Sequence, residues 1–177
     1  MRKTKLATVW LDGCSGCHMS LLDIDEALIP LAGKIDMVYG PLVDAQEFPK
    51  GVDVTVVEGA VSSQDDLEKI RLVRSRSKLV VALGDCAVTS NIPGMRNPFG
   101  VKAVLERAFV DTVTIQKPAP TSVIPALLDR VRPIHEVVPV DVFVPGCPPS
   151  ADLIYLILSD LIAGRTPSPG LEGRFGA

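Results

Sequence analysis

The sequence has no excess of positive charge and no long apolar run, and these two absences exclude several classes of protein. Its 177 residues include 18 lysines and arginines against 21 aspartates and glutamates, which gives a formal net charge of −3. With this balance the chain has no excess of positive charge with which to bind nucleic acid or an anionic membrane. The longest apolar run, residues 153–158, is far shorter than the ~20 residues of a membrane-spanning helix. We therefore expect no nucleic-acid partner and no membrane span.

The amino terminus also lacks the pattern of a secretory signal. Residues 1–5 are basic, but the apolar stretch behind them is only about one strand long, and no small-residue cleavage site follows. We therefore expect a cytoplasmic protein. Cysteine is scarce, with four in the chain, and reducing conditions in the cytoplasm argue against two structural disulfides.

Alternating strand and helix patterns predict an α/β protein. Apolar and β-branched runs predict five strands, at residues 5–11, 35–39, 52–58, 79–83 and 140–144. Helical spacing of apolar residues predicts helices at about residues 18–29, 64–75, 101–109, 124–131 and 150–163. Pro30 is expected to end the first helix, because a proline beyond the last turn cannot continue the hydrogen-bond ladder.

The simplest fold for this order has three layers, α/β/α, around a five-stranded parallel sheet. We expect a single domain over residues 1–165 and an extended tail over residues 166–177, which are rich in glycine and proline. Leu171 and Phe175 in this tail could anchor it on a partner.

All four cysteines follow predicted strands. Cys14 and Cys17 come after the first strand, Cys86 after the fourth and Cys147 after the fifth. Because the carboxyl ends of parallel strands share one edge of a sheet, these thiols can converge. Four soft ligands at one point suit an iron–sulfur cluster or a zinc ion.

The spacing of the cysteines favours an iron–sulfur cluster over a zinc ion but does not decide between them. Structural zinc sites usually draw on two closely spaced pairs, whereas this chain has one pair and two single cysteines. The pair alone also fits a thioredoxin-like redox motif. A zinc-stabilised or dithiol α/β binding protein, or unrelated buried thiols, therefore remain alternatives to a cluster.

A few polar residues near the cysteines are candidates for further roles. Glu58 ends the third predicted strand, where its carboxylate could relay protons or contact a partner subunit, and a helix cap or loop contact is the plainer alternative. We expect His18 to contact a partner and His135 to lie on the surface. Asp12 and Asp85 flank the cysteines and are expected to form turns.

Four motifs, in order along nearly the whole chain, resemble those of NiFe hydrogenase small subunits. They are Trp10-Leu11 with Cys14-Ser15-Gly16-Cys17-His18-Met19-Ser20, then Val57-Glu58-Gly59, Gly84-Asp85-Cys86 and Gly146-Cys147-Pro148-Pro149. The resemblance implies a flavodoxin-like domain in which Cys14, Cys17, Cys86 and Cys147 hold one proximal 4Fe-4S cluster. That cluster would take electrons from a nickel–iron centre on a separate large subunit.

Departures from the family pattern refine what the resemblance implies. The chain has neither a twin-arginine signal nor a cysteine-rich C-terminal half, so it is similar to the short subunits of NAD-reducing hydrogenases, whose diaphorase subunits carry further clusters and flavin. The homologous quinone-reductase subunit of respiratory complex I has adjacent cysteines, which Cys14 and Cys17 do not match. We expect no flavin in this chain, because these cysteines take up the loop where flavodoxins cradle phosphate. The chain alone should not split hydrogen, because it offers no second cysteine pair for nickel.

Overall fold

A five-stranded parallel sheet forms the centre of the computed structural model, which describes residues 2–115, 119 and 121–167. Its strands are β1 (Thr4–Trp10), β2 (Ile35–Tyr39), β3 (Val52–Glu58), β5 (Ser77–Leu83) and β7 (Val142–Val144). They lie side by side in the order β2-β1-β3-β5-β7. Counted along the chain as parallel strands, this is the 2-1-3-4-5 order of flavodoxin-like sheets. The five predicted strands and the parallel α/β fold are confirmed.

Helices cover both faces of this sheet. They are α1 (Gly16–Leu22), α2 (Leu28–Ala32), α3 (Gln64–Arg76), α4 (Asp85–Thr89), α5 (Asn91–Gly94), α6 (Gly100–Glu106) and α7 (Ala151–Ile162). Short 3-10 turns lie at Asp25–Ala27 and Ile134–Glu136, and a π-helical segment at Arg107–Asp111 follows α6.

Apolar side chains on alternate positions of the strands fill the two layers between sheet and helices. On one face, Val54 and Val81 pack with Leu153 and Ile157 of α7. On the other face, β1 and β3 pack against Ile70 and Val73 of α3. Because β3 is buried on both faces, it reads as a nearly continuous apolar strand, as a central parallel strand should.

The helix predicted over residues 124–131 is wrong. This segment forms a strand, β6 (Leu127–Arg132), which pairs antiparallel with the short strand β4 (Val61–Ser63) in a second sheet. Pro125 and Pro133 bound it closely, and the Asn97 side chain holds the Val131 backbone in two hydrogen bonds of 2.8 and 3.1 Å. Pairing with distant residues has outweighed the local helical spacing.

The long helix predicted over residues 18–29 is also interrupted. Helix α1 stops at Leu22, and Asp25 takes a positive φ of 55° before α2 begins. Pro30 lies inside α2 and does not follow a helix end. It is tolerated at the third helical position because N–H groups of the first turn have no acceptor within the helix.

Strand order fixes which loops meet at the carboxyl edge of the sheet. The strands β1, β3, β5 and β7 are consecutive neighbours, so the loops that follow them lie side by side. Among the described residues, no helix has both the length and the apolarity to cross a membrane.

Candidate metal centre

The four cysteines lie in the segments, loops and first helical turns, that follow the strands at this carboxyl edge. Cys14 and Cys17 follow β1, Cys86 is in α4 directly after β5, and Cys147 follows β7. All four are free thiols, and Cys17 is buried while Cys14 and Cys147 are exposed. Thiols that are distant in sequence are therefore placed along one rim, as the sequence predicts.

The ionisation of Cys17 and of Cys86 is influenced by the other cysteines. Burial raises the pKa of the Cys17 thiol, and the negative charges of Glu58 and of the other three cysteines raise it further. Burial also raises the pKa of Cys86, with Cys147 and Cys14 adding to the effect. Thiolates in such a group repel one another, and a bound cation removes that repulsion.

The Cys17 side chain lies against the end of β5 at Gly84. It adopts φ +83° and ψ 161°, a conformation that is essentially restricted to glycine. A Cβ atom on Gly84 would lie 2.2 Å from the Cys17 sulfur and 3.5 Å from the carbonyl oxygen of Gly146. The missing side chain therefore leaves the space that the Cys17 sulfur occupies.

Glu58 holds the segment that carries Cys14 and Cys17, which is called the first cysteine loop. It is 2% exposed, and its carboxylate accepts hydrogen bonds from the backbone N–H of Cys17 at 3.4 Å and of His18 at 2.8 Å. The same carboxylate contacts Nδ1 of His18. Because N–H groups at a helix start have no partner within the helix, Glu58 supplies the acceptors that α1 lacks.

His18 therefore has an internal partner, whereas the sequence led us to expect only an external one. Its Nε2 atom is buried and has no hydrogen-bond partner within the described part of the chain. The expected contact of His18 with a partner subunit stays a prediction. His135, in contrast, lies on the surface as expected.

Asp85 ties the Cys86 loop to the Cys147 loop. Its Oδ1 atom accepts from the Gly146 backbone N–H at 2.7 Å, and its own backbone N–H donates to the Gly146 carbonyl at 2.8 Å. Asp85 is 5% exposed, so the expectation of a simple turn residue understates its role. These two bonds extend the pairing of β5 with β7 beyond Leu83 and Val144.

Further contacts fix the remaining loops. Ser20 of α1 donates to the Pro149 carbonyl at 2.5 Å, which joins the first cysteine loop to the last. The backbones of Asp12 and Ala60 exchange two hydrogen bonds of 2.7 and 3.1 Å. Each cysteine-bearing loop is thus bonded to a neighbouring loop, so the rim is preorganised by the protein itself.

The chemistry of the donor set fits a cluster, because four cysteine thiolates are the usual protein ligands of a four-iron cluster. Thiolates are also the ligands of many structural zinc sites. Among the described residues, no group of three or more His, Cys, Asp or Glu side chains is arranged to hold a metal ion.

Exposed apolar side chains lie close to the cysteine-bearing segments. Beside α1, an apolar groove of about 330 Å³ runs between the helix and the loop after β2. Met19 and Leu42 at this groove are 57% and 83% exposed. Ile92, in α5 after Cys86, is 62% exposed. Exposed apolar patches are typical of surfaces that bind other molecules.

The family model described as NADH ubiquinone oxidoreductase, 20 Kd subunit, matches residues 14–161. The chain is 40% identical over 168 residues to the NAD-reducing hydrogenase HoxS subunit delta of Cupriavidus necator, covering 92% of this chain and 80% of that protein. It is 36% identical over 184 residues to the coenzyme F420 hydrogenase subunit gamma of Methanosarcina barkeri, covering 98% of this chain and 61% of that protein. The chain is thus shorter than both of these relatives.

Solved structures give the same picture of the fold. A chain in the crystal structure of an NAD+-reducing [NiFe]-hydrogenase in the H2-reduced state matches with a TM-score of 0.94 and 36% identity, over 99% of this chain and 100% of that one. The [NiFeSe]-hydrogenase of Dm. baculatum matches with a TM-score of 0.58 and 19% identity, over 99% of this chain and 70% of that one. The second likeness concerns the fold alone.

Proposed function

We propose a function from the premise that this chain belongs to the family of the NADH ubiquinone oxidoreductase 20 Kd subunit, in which its matched relatives are hydrogenase subunits. It acts as the small subunit of a NiFe hydrogenase of the NAD-reducing type. Its Cys14, Cys17, Cys86 and Cys147 hold one 4Fe-4S cluster. When bound, this cluster carries electrons between a nickel–iron site in a large subunit and an NAD-linked diaphorase module.

One observation carries this proposal: all four cysteines follow strands that end at the same edge of one parallel sheet. The chain contains four cysteines, and none is left over for a second centre. Nickel–iron chemistry must then take place on a partner, and this chain supplies electron transfer. The alternative, a zinc-stabilised or dithiol binding protein, is less well supported because structural zinc sites usually draw on two closely spaced cysteine pairs, whereas this chain has one pair and two single cysteines.

The partner subunits follow from the exposed rim and from the relatives. A centre whose outer ligands, Cys14 and Cys147, are exposed needs a cover against water, because exposure tunes the potential and favours loss of the metal. The large subunit is the natural cover, since exposed apolar side chains lie close to the cysteine-bearing segments. The diaphorase link rests on the NAD-reducing relatives.

Glu58 is best supported as the residue that positions the first cysteine loop. It accepts from two backbone N–H groups and contacts the His18 ring, so its charge is already used to hold α1. Its role as a proton relay stays a prediction. A Glu58→Gln variant tests it, because glutamine keeps an acceptor for the backbone but cannot take up a proton at pH 7.

The decisive experiment is metal and spectroscopic analysis of the chain co-expressed with its large subunit and purified without oxygen. We expect a brown complex, acid-labile sulfide, and an EPR signal after reduction that is lost in the Cys147→Ala variant. Ser15→Ala, a change in the same rim that removes no sulfur, is the control and should keep the signal. Stoichiometric zinc without iron in the native complex would refute the proposal.

A further inference from the structure

Two N–H groups from one short segment are directed at cysteine sulfur atoms. The side-chain Nδ2 of Asn91 lies 3.5 Å from the sulfur of Cys147, within hydrogen-bond range for the large sulfur atom. The next residue, Ile92, donates its backbone N–H to Cys86, which partly offsets the effect of burial on the pKa of that thiol. The segment of Asn91 and Ile92 thus donates hydrogen bonds to two thiols that belong to two different loops.

The backbone places this segment firmly. Ser90 lies between α4 and α5 in the left-handed region, with φ +68°, and so turns the chain back over the rim. Its N–H donates to the Cys86 carbonyl at 3.0 Å, and its carbonyl accepts from Gly94 at 2.8 Å. Asn91 therefore starts α5 from a position that these backbone hydrogen bonds hold.

We propose that Asn91 raises the reduction potential of the centre by donating its amide N–H to the Cys147 thiolate. This inference rests on the proposed function, because it requires a redox-active cluster on the four thiolates. Reduction adds one electron, supplied by the reductant, and no bond forms or breaks. The added negative charge is spread over the sulfur ligands, so an N–H donor stabilises the reduced state more than the oxidised state.

Other polar side chains at the rim act differently. Glu58 and Asp85 accept hydrogen bonds from the backbone, so they position the loops and do not donate to sulfur through those contacts. The Ile92 N–H belongs to the backbone and cannot be removed by changing its side chain. Asn91 is therefore the group at which the electrostatics of the centre can be altered while the loops stay in place.

The test is an EPR-monitored redox titration of the anaerobic complex, with dithionite as the reductant and Asn91→Leu as the variant. Leucine has the branching of asparagine and the same number of non-hydrogen atoms but cannot donate a hydrogen bond. We expect unchanged iron and sulfide content and a more negative midpoint potential. At a fixed ambient potential the ratio of reduced to oxidised centre should fall about three- to tenfold, a tenfold change being about 59 mV for one electron.

Two further variants separate the hydrogen bond from packing. Asn91→Gln retains an amide donor and should recover part of the shift. Gln64→Leu makes a comparable change at the start of α3, where the side-chain amide donates to Glu68, and should leave the potential unchanged. Pulsed EPR should show an exchangeable proton coupled to the centre in the wild type that is weaker in Asn91→Leu.

Each outcome has a clear meaning. A wild-type potential in an iron-loaded Asn91→Leu complex overturns the inference but leaves the proposed function intact. Absence of iron and of the EPR signal in the wild-type complex overturns both. If Asn91→Leu loses iron, Asn91→Ala removes the donor without a branched side chain and decides the matter. Loss of iron from both variants would show that Asn91 holds the centre in place, which contradicts a tuning role.

Discussion

Replacing Gly84 by alanine tests whether the Cys17 sulfur needs the space over the end of β5. The new Cβ atom would lie 2.2 Å from that sulfur, which is well inside ordinary van der Waals contact. The backbone at φ +83° and ψ 161° adds strain of order 1–3 kcal/mol for any residue with a Cβ. Relief of the clash requires a shift of the sulfur or of the strand end, at roughly 1–3 kcal/mol more.

We therefore expect Gly84→Ala to lower the free energy of unfolding by about 2–6 kcal/mol and to reduce iron occupancy, since Cys17 can no longer keep its position. The assay is a thermal melt of the co-expressed complex together with iron and sulfide determination. Gly51→Ala is the matched control, because Gly51 has φ +70° but no atom within 4 Å of the point where its Cβ would lie.

The control separates backbone strain from the clash with sulfur. Gly51→Ala should cost only the strain, about 1–2 kcal/mol, and should keep all of its iron. If Gly84→Ala and Gly51→Ala melted alike and held iron alike, the Cys17 sulfur could not occupy the space over Gly84. The rim would then be arranged differently.

Three further predictions concern single side chains. Cys17→Ala should abolish hydrogen-dependent reduction of the final acceptor while NADH-linked dye reduction by the diaphorase persists, and normal hydrogen-to-acceptor turnover would disprove ligation by Cys17. Asp85→Ala should lower stability by about 1–3 kcal/mol by leaving the buried Gly146 N–H unpaired, whereas Asp85→Asn, which keeps an acceptor oxygen, should lose less in the same thermal melt. Burial opposes ionisation of Asp53, but hydrogen bonds from Lys78, the Lys5 backbone and Arg2 lower its pKa from 3.8 to about 2. The stabilising effect of this carboxylate is complete above about pH 4 and is lost as the pH falls towards 2. Asp53→Asn should thus cost about 1 kcal/mol at pH 6, because the partners are exposed, and the difference from wild type should disappear near pH 2 in acid-unfolding curves followed by circular dichroism.

The sequence was sufficient for features that depend on local pattern. The β-branched run at residues 52–58 predicts a strand, and β3 spans Val52–Glu58. The run is continuous because a central parallel strand is buried on both faces. The position of each cysteine after a strand follows from the same pattern. Once the strands are parallel, the common edge is a consequence of the fold.

Features that depend on pairing between distant residues were not accessible from local pattern. The segment around residue 128 has apolar spacing that suits a helix, but its neighbour β4 offers an edge to pair with. The role of Asp85 depends on Gly146, 61 positions away, and the role of Gly84 on the sulfur of Cys17. The family motif that Gly84-Asp85-Cys86 resembles predicts a role for the cysteine. Gly84 and Asp85 also shape the rim, and this follows only from the structure.

The unequal burial of the four thiols would give the loading of the proposed cluster a direction. Cys14 and Cys147 face solvent, whereas Cys17 is enclosed. If these thiols hold the cluster, iron arriving from solvent would reach the two outer sulfur atoms before the inner one, and removal by a chelator would begin at the outer sulfur atoms as well. A large subunit docked on this rim would close the outer side, so the loading step would belong before assembly.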